Sequence, residues 1–485
     1  MSKLAEDAQA EATGAGVYPP ELKRTLGSFE VFAVSFAFIS VAVGIFGTYD
    51  AVLQTAGPVG IWLWVIVAVG QTLVALIMAQ FAARISLTGS SYQWASRLAN
   101  PRIGWWFGWL TFCYLAIAVV AVDNALASQA FMPLAGLAPD ENVARWITLI
   151  ILLLQAVLAI ASTRIVAMLN AAAVGVEIAV VIVLVVALLI AVSITGLGSV
   201  DNLTSRGSAA GDAGYFAVGG GLMLAMIMGL ATLVGFDAAA NLAEEAKDPY
   251  RTVPRAIVGS VMAAGVLGLL FLVALTIAIP DVTRISNTGS PVAAILHDQL
   301  GHIAEIVLLV AVTFAFFACG LVVMMTGARL VFAMARDARF PAHRLMRSVH
   351  PRTRTPIAAT VLIFVGGVLL MAALPGQALL QLITASTILP VLIYGGTVVL
   401  YLAVRRRLAR RENAFDLGRS ELPVALVALA WLILALFTLV TPAEALIPVL
   451  IVIGLLVVGA GFFGALLIFD RKSLDISPEV EATQS

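Results

Sequence analysis

Long apolar runs separated by short polar segments follow one another along the whole chain. The runs are 16 to 33 residues long, and about 20 residues carry a helix across the hydrocarbon core of a bilayer. The runs cover residues 29–53, 60–83, 105–130, 146–161, 165–194, 216–242, 257–279, 303–335, 357–374, 379–404, 424–440 and 445–469. The pattern predicts an all-α polytopic membrane protein with twelve transmembrane helices.

Composition agrees with a membrane protein, and the charge distribution orients it. Hydrophobic residues make up 61% and charged residues 12% of the 485 residues, whereas roughly a quarter of a soluble protein is charged. All Lys and Arg except Arg145, Arg206 and Arg284 fall in segments on the same side as the amino terminus. The positive-inside rule therefore predicts two cytoplasmic termini. We expect an integral protein of a bacterial cytoplasmic membrane, with the lipid bilayer and no nucleic acid as its partner.

Several kinds of chemistry lack their sequence signatures. Cys113 and Cys319 both fall inside apolar runs, which suits packing residues rather than a disulfide framework. The four histidines include no His-Glu-x-x-His or comparable cluster, and there is no Gly-x-x-x-x-Gly-Lys-[Ser/Thr] phosphate loop. The sequence thus predicts neither an enzyme nor an ATP-driven pump, and no metal site or cofactor.

Two apolar runs carry glycine-containing interruptions at corresponding places. The first is interrupted over residues 40–47, around Gly44, and the sixth over residues 232–237, around Gly235. Broken hydrophobic segments in matching positions of two halves indicate an inverted-repeat transporter whose site lies at the bilayer midplane. The alternative is that these glycines only allow helices to pack closely.

Ionisable residues within the apolar runs are costly and therefore indicate function. Asp237 lies within the sixth run, and Glu244 and Glu245 follow it. Arg329 near the end of the eighth run needs a carboxylate partner, because an unpaired Arg in hydrocarbon is unfavourable. We expect these four residues to form an inner gate, with Arg329 paired to one of the three acids.

Glu177 is the candidate for ion coupling. It follows Ile165 by 12 residues, or about 18 Å at about 1.5 Å per residue, which places it near mid-membrane. Its possible roles are a carboxyl that burial keeps protonated and that releases its proton on opening, a sodium ligand, or the structural partner of a cation such as Arg329. In the third run, Asp123 and Asn124 either contact a substrate amine or face water in an outer vestibule.

The segment that follows the sixth break resembles a family signature. Its residues are Gly235-Phe236-Asp237, Glu244-Glu245, Pro249, Arg251 and Pro254-Arg255-Ala256-Ile257. The combination resembles the amino acid/polyamine/organocation superfamily, most strongly its amino acid and choline transporter branch. Further matches are Gly44-Ile45-Phe46, Thr88-Gly89 with Tyr92 and Trp94, Arg329 with Ala335-Arg336-Asp337 and Phe340-Pro341, and Thr355-Pro356. The resemblance covers residues 23–405.

The resemblance implies a leucine-transporter-like fold. Ten core helices would form a 5+5 inverted repeat with helices 1 and 6 broken, and two extra helices would follow. The implied organisation is a disordered cytoplasmic tail at 1–27, the ten-helix core at 28–405, a basic cytoplasmic loop at 406–421, helices 11 and 12 within 422–470, and a second cytoplasmic tail at 471–485.

The resemblance also implies a substrate site between the broken helices. The residues carried over by position are Ser40, Val43, Gly44, Ile45, Ala231, Thr232, Gly235, Asp237 and Asn241. Backbone groups of the first four would meet a carboxylate, the carbonyls of the next three would receive an amino group, and Asp237 would serve gating or substrate charge. Asn241 stands where relatives of this branch often have His. Ala231 replaces an aromatic residue of many relatives, which leaves room for a larger side chain.

We therefore expect a secondary active transporter, a permease that imports an amino acid with protons, or with sodium as the alternative ion. A polyamine, choline or 4-aminobutyrate carrier, or a substrate/product exchanger, is the alternative within transport. A nutrient receptor with a transporter-like fold is the alternative outside it, and it would bind its ligand without flux.

Overall fold

A computed structural model describes residues 24–138, 140–288, 290–373, 382–408, 414–442, 445–469, 471 and 474. Within these ranges the chain is helical, and its only β-type pairing is a single bridge between Leu26 and Ala246. The main helices are α1 Ser28–Ile39, α2 Val41–Thr55, α3 Leu63–Ala82, α4 Ser90–Leu98, α5 Pro101–Ala125, α6 Glu141–Ala161, α7 Thr163–Thr195, α8 Met226–Thr232, α9 Pro249–Ile277, α10 Pro291–Leu300, α11 His302–Arg336, α12 Ile357–Ala373, α13 Ile388–Val404, α14 Glu421–Val440 and α15 Leu446–Phe469. Shorter helical turns are Pro58–Trp62, Leu126–Phe131, Met132–Leu134, Val200–Thr204, Gly207–Ala209, Gly221–Leu224, Ala238–Asn241, Ala243–Glu245, Val282–Ser286, His343–Met346 and Gly418–Ser420.

Ten helical stretches among the described residues are long and apolar enough to cross a membrane. Two shorter apolar stretches, Gly221–Thr232 and Ile357–Ala373, lie in the predicted sixth and ninth spans. The all-helical membrane class is thus confirmed, while the count of twelve spans stays a prediction. Most of the predicted tails, and part of the basic loop at 406–421, lie outside the described residues.

Side-chain caps mark where several of the long helices begin. Asn100 accepts a hydrogen bond from the Ile103 N–H at the start of α5, and Asp140 accepts one from the Val143 N–H at the start of α6. Such caps satisfy backbone donors that the first helical turn leaves free.

The bundle has one arginine-rich end, which we call the basic face. It carries the start of α1 near Arg24, the start of α7 near Arg164, the end of α11 at Arg336 and the end of α13 near Arg405. Contacts across this end include the bridge between Leu26 and Ala246. At the opposite face, by contrast, the Tyr215 hydroxyl donates to the Ala56 carbonyl and Asn202 donates to the Ile279 carbonyl.

The first predicted span is broken at a serine. Helix α1 ends at Ile39 and α2 begins at Val41, with Ser40 between them at φ 36° and ψ 92°. Gly44 lies inside α2, where its N–H donates to the Ser40 carbonyl at 3.0 Å. The break is therefore narrower than the predicted interruption and lies four residues before its glycine.

The sixth span is broken where its glycine lies. Helix α8 ends at Thr232 and helical structure resumes at Ala238, so residues 233–237 are irregular. Gly235 has a φ of 79°, a left-handed conformation that side chains other than glycine rarely adopt. A Cβ atom at this position would also overlap the ring of Phe38 on α1. Conformation and close packing thus both require glycine here.

Candidate functional site

A cavity of about 380 Å³ lies between the two broken helices, α5, α11 and the stretch that leads into α13. Its surface is mainly apolar, and the described lining residues include no Asp, Glu, Lys, Arg or His. Besides Tyr114 and Cys319, the lining residues with polar side chains are Thr48, Asn124, Ser128, Gln129, Thr232, Ser386 and Thr387. The cavity suits a solute without net charge, because no described lining side chain could neutralise one.

The cavity opens toward the face opposite the basic face. Ser128 and Gln129 line it just beyond α5 and are exposed to solvent. At its other end, the rings of Phe38 and Tyr114 lie with their centroids 6.2 Å apart. These two residues and Pro390 also line a second cavity of only about 20 Å³. They form the floor that separates the open cavity from the small one.

The predicted substrate residues divide between the two cavities. Among them, the residues that line the open cavity are Val43, Gly44, Ala231 and Thr232. Those that line the small one are Gly235, Asp237 and Asn241. Ser40 and Ile45 are buried and line neither. The structure thus brings together only part of the predicted set around one space, and the roles of all nine in binding stay predictions.

Some of the predicted backbone contacts are already used within the protein. The Gly44 N–H donates to the Ser40 carbonyl, and the Thr232 carbonyl accepts from the Val234 N–H at 2.9 Å. The Gly235 carbonyl accepts from the Ala238 N–H, also at 2.9 Å. Each of these groups already makes a hydrogen bond within the protein. In this conformation a substrate can therefore bond to them only as an additional partner.

Glu177 on α7 is bonded directly to the break in the first span. Its Oε1 accepts from the Ala42 N–H at 2.9 Å and from the Ser40 hydroxyl at 3.1 Å. The Ala42 N–H belongs to the first turn of α2, so the carboxylate acts as a helix cap supplied by another helix. The side chain is 3% exposed. Within the described residues its hydrogen bonds go to α2 and its N-terminal flank, and not to Arg329.

Arg329 forms an ion pair with Glu245, one of its three candidate partners. Its Nε donates to Glu245 Oε1 at 2.9 Å and its Nη2 to the Thr163 hydroxyl at 2.9 Å. The second acid, Glu244, accepts from both terminal nitrogens of Arg336 at 3.0 and 2.9 Å. Two ion pairs therefore join α11 to the end of the sixth span at the basic face.

Asp237 is bonded to neither arginine. Its Oδ2 accepts from the Ser90 hydroxyl at 2.9 Å, and its Oδ1 accepts from the Tyr394 hydroxyl at 2.9 Å. Tyr394 also accepts from the Gly235 N–H at 2.9 Å, so one phenol holds both the irregular segment and the acid that follows it. Sequence reasoning missed Ser90, Tyr394 and the pairing role of Arg336, although Arg336 belongs to a quoted motif.

The two neighbouring residues of the third span have different surroundings. Asp123 is 0% exposed and accepts from Gln155 Nε2 on α6 at 2.7 Å, so it faces neither the cavity nor a vestibule. The expected water-facing position of Asp123 is therefore wrong, while its contact with a substrate amine stays a prediction. Asn124 does line the open cavity.

Comparison with known proteins identifies the class. Residues 26–465 match the family model described as amino acid permease. Amino-acid permease BAT1 of Arabidopsis thaliana is 25% identical over 450 residues, which cover 86% of this chain and 85% of that one. The branched-chain amino acid permease BcaP of Lactococcus lactis is 26% identical over 69% of this chain and 73% of its own length.

A solved structure supports the fold. The manganese transporter of Eremococcus coleocola matches with a TM-score of 0.55 at 15% identity, over 91% of this chain and 95% of that one. At this identity the similarity concerns the fold alone. The family match covers most of the chain, so the chain belongs to the amino acid permease family. It is an integral membrane transporter of amino acids, as the superfamily resemblance implied.

Proposed function

We propose that this permease imports a neutral, zwitterionic amino acid together with protons, and that Glu177 is the proton-coupling residue. The observation that carries the proposal is the pair of hydrogen bonds from Ser40 and Ala42 to the Glu177 carboxylate. Through them, a buried titratable group on α7 acts directly on the broken helix that lines the cavity.

The cavity wall supports the choice of a neutral substrate. A polyamine carries several positive charges and no negative one, so a site for it needs carboxylates close by. The described lining of the cavity has no carboxylate. An amino acid can instead place its own two charges against backbone groups at the two breaks. Its side chain then packs against apolar residues such as Val122 and Ala231.

Protonation of Glu177 would change the bonding at the break. The ionised carboxyl only accepts hydrogen bonds, whereas the protonated form has one hydroxyl group that must donate. The proton therefore weakens the cap on α2 and lowers the cost of moving α1 against α2. A sodium ion held by the same carboxylate is the alternative coupling route.

The closed basic face supports the same cycle. The positive-inside rule assigns this face to the cytoplasm. The ion pairs of Arg329 with Glu245 and of Arg336 with Glu244 lie between the cavity floor and that face. Access from the cytoplasm then requires these pairs to separate after substrate and proton have bound from the other face.

The test compares Glu177→Gln with Asp123→Asn in proteoliposomes. Both variants replace a buried carboxyl by its amide, but the carboxyl of Asp123 accepts its hydrogen bond from Gln155 on α6 rather than from the broken helix. Labelled neutral, cationic and anionic amino acids are offered with an imposed inward proton gradient, in the presence and absence of sodium. We expect the wild type to accumulate a neutral amino acid without sodium. We expect Glu177→Gln to bind it and exchange it but not to accumulate it, with Asp123→Asn active.

Four results would contradict the proposal. Accumulation that requires sodium would show that sodium, and not the proton, is the coupling ion. Preferred uptake of a cationic amine would overturn the substrate class. Normal proton-driven uptake by Glu177→Gln, or loss of coupling in Asp123→Asn alone, would remove Glu177 from the mechanism.

A further inference from the structure

Two histidines and a glutamate that do not line the cavity meet on the face opposite the basic face. His297 lies near the end of α10, and His302 and Glu305 lie in the first turn of α11. Glu305 Oε2 is 2.9 Å from His297 Nδ1 and 3.1 Å from His302 Nδ1. The three potential ligand atoms all lie within 4.8 Å of one another.

The backbone between the two helices creates this arrangement. Gly301 separates α10 from α11 and has a φ of 81°, a conformation that suits glycine. On a continuous helix, residues five apart do not share a face. The bend at Gly301 instead turns His297 back over the first turn of α11, so that both imidazoles face one carboxylate oxygen. The spacing in the sequence therefore gives no sign of the cluster.

The ligand set has the chemistry of a transition-metal site. Imidazole nitrogens with one carboxylate suit Zn²⁺ and its neighbours, whereas Mg²⁺ and Ca²⁺ prefer oxygen ligands. Zinc binds nitrogen and oxygen ligands at about 2.0–2.2 Å, which puts tetrahedral ligands about 3.3 Å apart. The two separations of Glu305 Oε2 from the imidazole nitrogens, 2.9 and 3.1 Å, are already close to this value. We propose that His297, His302 and Glu305 bind a divalent transition-metal ion such as Zn²⁺.

The three side chains of the cluster are accessible to solvent, so the proposed metal site lies at the protein surface. The side chains of His297 and His302 are 56% and 70% exposed, and that of Glu305 is 25% exposed. An ion can enter directly from solvent, and water completes its coordination. The site joins α10 to α11 across Gly301. Helix α10 packs against α7 and α2, so the bound ion ties the external end of the broken first span to α11.

The experiment measures metal binding directly. Tag-free, full-length protein in detergent, stripped with a chelator, is titrated with ZnCl₂ and separately with MgCl₂ by isothermal calorimetry. We expect one Zn²⁺ per chain and no Mg²⁺ binding. His297→Ala, His302→Ala and Glu305→Gln should each weaken Zn²⁺ binding by about ten-fold or more, since even residues that only orient metal ligands have effects of that size. His343→Ala, a histidine at the basic face, is the matched control and should leave the affinity unchanged.

Each other outcome counts against the site. A Zn²⁺ isotherm that is the same in the wild type and in His297→Ala, or binding lost only in His343→Ala, overturns the proposal. Equal binding of Mg²⁺ would show a general attraction of cations to Glu305 rather than coordination by imidazole. The three positions are at the surface, so a melting temperature measured without metal shows that each variant remains folded.

Discussion

Removing the carboxylate of Glu245 should destabilise the protein strongly. The side chains of Arg329 and Glu245 are 0% and 2% exposed, and their closest N–O distance is 2.9 Å. Among the described residues, Arg329 Nη1 already has no hydrogen-bond partner. Glu245→Gln therefore leaves a buried guanidinium whose acceptors, the glutamine amide oxygen and the Thr163 hydroxyl, are both uncharged. Loss of one partner from a buried ion pair costs about 3–5 kcal/mol of the free energy of unfolding.

Two further variants calibrate this value. Glu244→Gln removes the neighbouring carboxylate, whose pair with Arg336 is partly exposed at 17% and 5% for the two side chains. Its loss should cost about 1.5–3 kcal/mol, the range for hydrogen bonds to charged groups. Replacing the whole buried pair, as Arg329→Met with Glu245→Leu, should recover most of the stability, because no charge is then left unpaired.

The assay is chemical and thermal unfolding of the three variants in one detergent. The expected order of stability is wild type, then the double variant near it, then Glu244→Gln, and Glu245→Gln lowest. If the ion pair also closes the cytoplasmic route, the double variant should fold well and still leak substrate in proteoliposomes. A melting temperature of Glu245→Gln equal to that of the wild type would refute the reasoning, since the charge of Arg329 would then be compensated by another group or by water.

Two more substitutions test the cavity. Gly44→Ala places a Cβ atom where it overlaps the Thr232 side chain, so it should cost about 1–3 kcal/mol as overpacking. Adding Thr232→Ala removes the overlaps with Cγ2 and Oγ1 but keeps the Thr232 Cβ position, 2.6 Å away, so it should restore only part of the melting temperature. A single variant as stable as the wild type would contradict the close contact. Ala231→Trp should narrow the substrate range, because the larger side chain occupies space in the cavity. In a thermal-shift screen, binding of large amino acids should weaken while binding of the smallest is unchanged. An equal loss for large and small ligands would mean that Ala231 does not line the site.

Periodicity and glycine chemistry made the sixth break predictable. A glycine beside an acid in an apolar run marks a place where the helix cannot continue undisturbed, and Gly235 does take a left-handed conformation. The same rule pointed to Gly44, but the first break occurs at Ser40. Glu177, 137 residues away in the chain, supplies the acceptor that makes this conformation possible. No local rule contains that information.

The partners of the charged residues could likewise not be predicted from the sequence pattern. Hydropathy shows that Arg329 lies in a membrane span, but not which of three acids faces it, because that depends on how far each helix is shifted along its neighbour. Tyr394 gave no signal, since an aromatic residue in an apolar run is usually a packing residue. Its importance lies in contacting Gly235 and Asp237 at once.

The cap on α2 has a consequence for how the protein is made. The chain is synthesised from its amino terminus, so the first span enters the bilayer before the helix that carries Glu177 exists. In hydrocarbon, each unsatisfied backbone group costs several kcal/mol, and an isolated span therefore satisfies its N–H groups as a continuous helix. Ser40 can leave the helix only after α7 has docked and brought its carboxylate to the Ala42 N–H. The nascent first span is thus a plain membrane anchor, and it becomes a transport helix only when the bundle assembles around it.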